Sequence, residues 1–217
     1  MSQLFDLTHP IENGMPVYPG DPGPEITTAP SVPAPWRVSE LRFGSHTGTH
    51  MDAPAHYFRG GKTIDQYPPE RLALPGLVLA VNGLADGGTL SWEMLAGQAA
   101  KLPEGGAAII RTGWGQFWGT DRYWRYPTLS AEAARGLAAA KVSLIGLDLP
   151  SADPLVHTPP LIHEIILEKD ILLVENLAHL DQLQPGIVYP FAFLPLLLAG
   201  LDGSPVRAMA WSPLQPS

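Results

Sequence analysis

His46, His50, Asp52 and His56 fall within eleven residues, in the run His46-Thr-Gly-Thr-His50-Met-Asp52-Ala-Pro-Ala-His56. Imidazole and carboxylate are the usual ligands of a catalytic divalent ion. Gly48 and Pro54 argue against a regular helix through the run, so it reads as a shaped strand and loop. On an extended backbone His50 and Asp52 point to one face. A turn at Thr47-Gly48 brings His46 to that face, with Gly48 free to take a positive φ. The product is a two-histidine, one-carboxylate site with open positions for water and substrate, suited to zinc, manganese or iron. His56 is either a further ligand or a free imidazole beside the metal that shuttles a proton. A single His or Asp in a turn is usually a capping or surface residue, but three of the chain's seven histidines in one short run outweigh that reading.

A second group lies downstream: His157, His163, Glu164, Glu168, Glu175 and His179. Glu175 ends the apolar run Ile171-Leu-Leu-Val174. A carboxylate at the tip of a buried strand is costly unless paired or bound to a metal, which singles it out. Glu164, Glu168 and Lys169 read as a solvated helix face. His157 and His179 read as structural.

These side chains need a scaffold. The 217 residues, 45% hydrophobic and 16% charged, suffice for one domain (residues 1–217) with a substantial core. Twenty-four prolines and 22 glycines imply many turns and argue against a helical bundle. Short apolar runs predict strands at Leu4–Leu7, Leu77–Val81, Ala108–Arg111, Leu144–Leu147, Ile171–Val174 and Val206–Trp211. Trp36–Phe43 alternates with one phase slip, as a bulged strand does. Helices are expected at Leu90–Leu102, capped by Ser91, at Ala131–Ala140, capped by Ser130, and at Leu161–Leu167. Strands alternating with helices over the C-terminal two thirds predict an α/β fold with a mixed sheet.

A net charge of −8 without a basic stripe excludes the usual nucleic-acid binder. The absence of cysteine leaves only His, Asp and Glu to hold a metal. Pro190–Leu201 is apolar but carries two prolines and is too short to cross a membrane. The start lacks a basic region followed by a long apolar one, so a cytoplasmic enzyme is expected.

The run from His46 to His56 resembles the signature of the cyclase family, which includes bacterial kynurenine formamidases (arylformamidases) and isatin hydrolases. Met15-Pro-Val-Tyr-Pro-Gly-Asp21 resembles the family's substrate-loop motif, and Arg111-Thr-Gly-Trp114 its central strand-to-loop motif. Gly146-Leu-Asp-Leu-Pro-Ser-Ala-Asp153 resembles the following strand end. His163, with Glu175 in Leu173-Val-Glu-Asn-Leu177, resembles its C-terminal metal-binding pair. The resemblance implies a swivelling β/β/α domain, a homodimer or higher oligomer, and one or two ions, most often zinc, with manganese in isatin hydrolases. It implies that His46, His50 and Asp52 hold one ion, that His163 and Glu175 complete the site, and that His56 is the general acid/base. Tyr18 would line the substrate pocket, with Trp114 as a neighbour. Formamidases typically carry Trp where this chain has Tyr18, so the pocket's shape differs.

The activity implied is hydrolysis of a small aryl amide, the formyl amide of N-formyl-L-kynurenine, to L-kynurenine and formate. Opening of a cyclic aryl amide such as isatin is the alternative, and a metal-binding protein without catalysis a third reading. No Gly-x-Ser-x-Gly elbow offers the serine-hydrolase route.

Overall fold

The computed structural model describes residues 3–155 and 159–213, so His157 lies outside the described residues. The first half carries strands β1 (Leu4–Asp6), β2 (Glu25–Thr28), β3 (Ser39–Arg42), β4 (His50–Asp52), β5 (Ala73–Ala80) and β6 (Thr89–Leu90). There follow helix α1 (Trp92–Ala99), β7 (Ala107–Arg111), β8 (Thr128–Leu129), α2 (Ala131–Ala139) and β9 (Leu144–Leu147). The chain continues with α3 (Leu161–Leu167), β10 (Leu172–Glu175), β11 (Val188–Pro195) and β12 (Gly203–Trp211).

Eight strands form one mixed sheet in the order β1-β12-β11-β5-β7-β9-β10-β4, and β4 also pairs with β12. That last pairing closes seven of the strands into a barrel, with β1 appended to β12. The steps from β5 through β7 and β9 to β10 are parallel; the others are antiparallel. Parallel strands are covered on both faces, which explains their near-continuous apolar runs. Alternate residues then serve two cores. Leu77, Leu79, Ile110, Ile145 and Leu173 pack with Leu95, Leu137 and Ile166 of the three helices. Val78, Ile109, Leu144, Leu172 and Val174 face the other way, against Phe191 and Phe193 in the closed sheet. Among the described residues no helix is long and apolar enough to cross a membrane.

The mixed α/β architecture is as expected, and six of the seven expected strands lie within about two residues of their places at most boundaries. The Ser130 hydroxyl caps α2 by accepting the Ala133 N–H at 3.0 Å. Two expectations are corrected. Ser91 occupies the N-cap of α1, but its side chain makes no capping bond, and the helix ends at Ala99 rather than Leu102. The strand expected at Trp36–Phe43 is only Ser39–Arg42; it pairs with β2 alone, so Trp36, Val38 and Leu41 stay exposed. The Pro190–Leu201 stretch supplies most of β11. Pro190 sits opposite Pro75 of β5, so two residues without an N–H share one position in the ladder.

Candidate active site

Strand pairing assembles the site. β4 runs between β10 and β12, and its register sets Glu175 opposite His50 and Gly203 opposite Asp52. His50 and Asp52 share a face, with His50 Nε2 3.3 Å from Asp52 Oδ1 and 3.7 Å from Glu175 Oε2. Gly48 takes φ +65°, and this left-handed turn brings His46 back so that its Nδ1 lies 2.7 Å from Asp52 Oδ1. His163 enters from the first turn of α3. Its Nε2 is 3.6 Å from Asp52 Oδ2 and 3.5 Å from Glu175 Oε1. The five residues His46, His50, Asp52, His163 and Glu175 thus converge from β4 and the turn before it, from α3 and from β10.

Each of these imidazoles is tied on its outer side. His50 donates its Nδ1–H to the Gly48 carbonyl at 2.8 Å. His163 donates its Nδ1–H to Asp153 Oδ2 at 2.7 Å. Asp153 also accepts the Ile162 and His163 backbone N–H groups and so fixes the start of α3. His46 donates Nε2–H to Asp202 Oδ2 at 2.8 Å. An imidazole anchored this way presents its other nitrogen inward, the arrangement metal-ligating histidines use.

The inner nitrogens face two buried carboxylates. Asp52 Oδ2 is buried and has no hydrogen-bond partner. Glu175 accepts the Ala152 N–H at 2.8 Å, yet burial and the neighbouring Asp52 charge push its carboxyl up to about 7. Burial also acts on Asp52, but the His50 and His46 charges outweigh it and hold its carboxyl well below the usual range. Burial disfavours a charged His46, but Asp52 and Asp202 more than offset it and raise its ring to about 10. His163 is raised likewise, Asp153 and Asp52 overcoming its burial. His50, Asp52 and Glu175 form one set of ligand atoms within 4.8 Å of one another, and His46, Asp52 and His56 a second that shares Asp52. A nitrogen and oxygen donor set with an orphaned carboxylate oxygen fits a divalent ion.

His56 ends a 3₁₀ turn, Pro54–His56, at the rim. Its ring centroid is 3.9 Å from that of His46, and its Nδ1 is 3.3 Å from Asp202 Oδ2. Burial lowers its pKa, with Asp52 opposing.

Above these groups opens a cavity of about 480 Å³ that includes Tyr18, Trp118, Trp124 and Ser151 in its walls. Tyr18 meets Trp124 edge to face at 6.3 Å. Trp118 stacks on His9 at 3.9 Å. Trp114 does not line the cavity. It is buried in the helix-side core, donating its indole N–H to the Tyr123 carbonyl. The loop that carries both tryptophans is held by Asp148, which accepts from the Thr112 hydroxyl and the Thr112 and Gly113 N–H groups. Outside the site, His179 lies near the Asp6 carbonyl, Glu164 accepts from Tyr57, and Glu168 pairs with Lys169, in keeping with structural and solvated roles.

Sequence reasoning missed Asp202, Asp153, Trp118 and Trp124. Asp202 lies in the turn just before β12, where neither strand position nor burial marks it in the sequence.

The class that this fold and site define is a hydrolase. Residues 5–154 match the Cyclase family model, and the chain belongs to that family. The kynurenine formamidase of Bordetella avium (strain 197N) is 36% identical over 96% of this chain and 98% of its own. A structure described as a predicted metal-dependent hydrolase from Bacillus stearothermophilus superposes with a TM-score of 0.81 at 26% identity, covering 97% of this chain and 98% of that one. Isatin hydrolase A from Labrenzia aggregata, at 24% identity and a TM-score of 0.85 over 97% and 93% of the two chains, shares the fold.

Proposed function

We propose that the chain is a metal-dependent arylformamidase that hydrolyses N-formyl-L-kynurenine to L-kynurenine and formate. The observation that carries this reading is the Asp52 carboxylate beneath an aromatic-walled cavity: its Oδ2 is orphaned with His163 Nε2 3.6 Å away, and His50 Nε2 lies 3.3 Å from its Oδ1. In this reading His46, His50, Asp52, His163 and Glu175 hold one or two ions, with zinc first and manganese second in expectation. When bound, such an ion polarises the amide carbonyl and brings the pKa of water toward neutrality. Tyr18, Trp118 and Trp124 pack on the aryl ring and orient the formyl group toward the buried carboxylates. His56 takes the proton from the attacking water and returns it to the leaving aniline nitrogen as the carbon–nitrogen bond breaks. The products are formate and the free arylamine.

The reading is tested with purified, metal-loaded protein on N-formyl-L-kynurenine and isatin, comparing kcat/KM with the same metal. That ratio reports relative transition-state binding. A higher value for the formyl amide is expected; a higher value for isatin would replace this substrate with a cyclic one. Tyr18→Ala is expected to raise KM for the formyl substrate about 2- to 10-fold, the equivalent of ~0.5–1.5 kcal/mol of aromatic contact. Tyr18→Trp should leave kcat/KM within about threefold. An unchanged KM in Tyr18→Ala would remove Tyr18 from the substrate wall.

The reading includes a homodimer, with the exposed Trp36, Val38 and Leu41 as part of the contact. Sedimentation of the wild type and of Trp36→Ser would show a dimer that weakens in the variant; a wild-type monomer removes that part.

A further inference from the structure

We propose that Asp202 is a positioning residue of this hydrolytic site, a single carboxylate that holds both His46 and His56. The inference rests on the hydrolase reading above and concerns a residue outside the run from His46 to His56.

Asp202 immediately precedes β12, the strand that closes the barrel onto β4. Its carbonyl accepts the Ala53 N–H at 2.9 Å, which staples it to the residue after Asp52. Its Oδ2 lies 2.8 Å from His46 Nε2 and 3.3 Å from His56 Nδ1. One oxygen therefore meets two rings whose centroids are 3.9 Å apart. The next residue makes this approach feasible. A Cβ on Gly203 would stand 2.9 Å from His46 Cε1 and 2.7 Å from the Met51 carbonyl oxygen, so only glycine lets the strand pass this close to His46.

The chemistry follows from what a carboxylate can do. It only accepts, so each imidazole must turn an N–H toward it. For His46 this leaves Nδ1 directed at Asp52, on the side where the ion would be held. For His56 it fixes the Nδ1–H tautomer and leaves Nε2 with the lone pair that proton transfer needs. The His56 side chain is about one third exposed, and without this partner its ring could flip and exchange tautomers. Asp202 thus does for two histidines what outer-sphere carboxylates do for one. It touches no substrate in this scheme and acts through both rings.

The test compares zinc-loaded wild type, Asp202→Ala and Asp202→Asn. In Asp202→Ala, kcat on N-formyl-L-kynurenine should fall ~10- to 100-fold with KM within about threefold. Asp202→Asn, which keeps one acceptor and nearly the same shape, should fall between the two and melt close to wild type. Zinc affinity, measured by competition with a chromogenic chelator, should weaken about tenfold or more in Asp202→Ala. Imidazole ¹H–¹⁵N spectra should show a single Nδ1–H tautomer for His56 in the wild type and a mixture in Asp202→Ala. Unchanged kcat with an unchanged His56 spectrum would overturn the proposal. So would full recovery of kcat at saturating zinc, because Asp202 would then act only by retaining the ion through His46. Should the wild type turn over neither the formyl amide nor isatin, the activity reading fails. The chelator and NMR measurements then still decide the role of Asp202.

Discussion

Asp52→Ala and Glu175→Ala are expected to lose their bound ion on purification and, with it, measurable turnover. Asp52 belongs to both potential ligand sets, and its Oδ2 has no other partner. Removing it leaves His50, His163 and Glu175 facing a void. Glu175 pairs in register with His50 and closes the opposite side of the same group. Loss of either carboxylate should cost more than the ~10- to 100-fold typical of outer-sphere changes, because it deletes a ligand and not merely its support. Elemental analysis of the dialysed variants checks this directly. A stoichiometric ion in Asp52→Ala would show that the ion sits elsewhere.

The same site makes stability depend on pH differently with and without the ion. In the metal-free protein, His46 is raised to about 10 and His163 is raised as well. A histidine raised on folding stabilises most below its unfolded pKa, and that contribution is lost as pH climbs toward the folded value. Glu175, held up at about 7, adds the same slope over a lower range and has given way by mildly alkaline pH. His9 and His56 are lowered, so they act in the opposite sense, but only below the ordinary histidine range. Between about pH 7.5 and 9, therefore, the Tm of the metal-free protein should fall. Metal binding displaces protons from these ligands and strengthens as pH rises. The gap between loaded and chelated Tm should widen across that window. A chelated Tm that stays flat or rises would mean that the imidazoles are not held as cations between these carboxylates.

The part of the site written in one short segment was legible, because local geometry determines it. A two-residue period puts His50 and Asp52 on one face, and the positive φ of Gly48 folds His46 onto them. Glu175 was legible on energetic grounds, as a charge at the end of an otherwise apolar strand. Asp202 is 156 residues from His46, and only the closure of β12 on β4 brings them together. No local pattern encodes that pairing. The tryptophans show a related limit. Motif position favoured Trp114, but the turn held by Asp148 sends Trp114 into the core and Trp118, four residues on, to the cavity. β11 was obscured by Pro190 and Pro195, which argue against a strand until Pro75 is seen opposite Pro190.

His56→Ala should retain its ion and lose at least ~10²-fold in kcat, the usual contribution of a positioned general base or acid. Its location argues for both halves of this expectation. His56 sits at the rim on a 3₁₀ turn, whereas His50, Asp52 and Glu175 are buried and form a ligand set without it. Its outward bond to Asp202 leaves Nε2 available for proton exchange. The competing arrangement is also written in the geometry, since His56 belongs to the second potential ligand set with His46 and Asp52. The two roles separate cleanly when metal content and turnover are measured on the same sample. A proton carrier leaves occupancy near wild type while kcat drops, and small imidazoles added to the assay should restore part of the rate. A ligand takes one ion with it, and added imidazole then restores nothing until the metal is supplied in excess. Loss of one equivalent of metal in His56→Ala would therefore convert His56 from acid/base to ligand and make the site binuclear through Asp52.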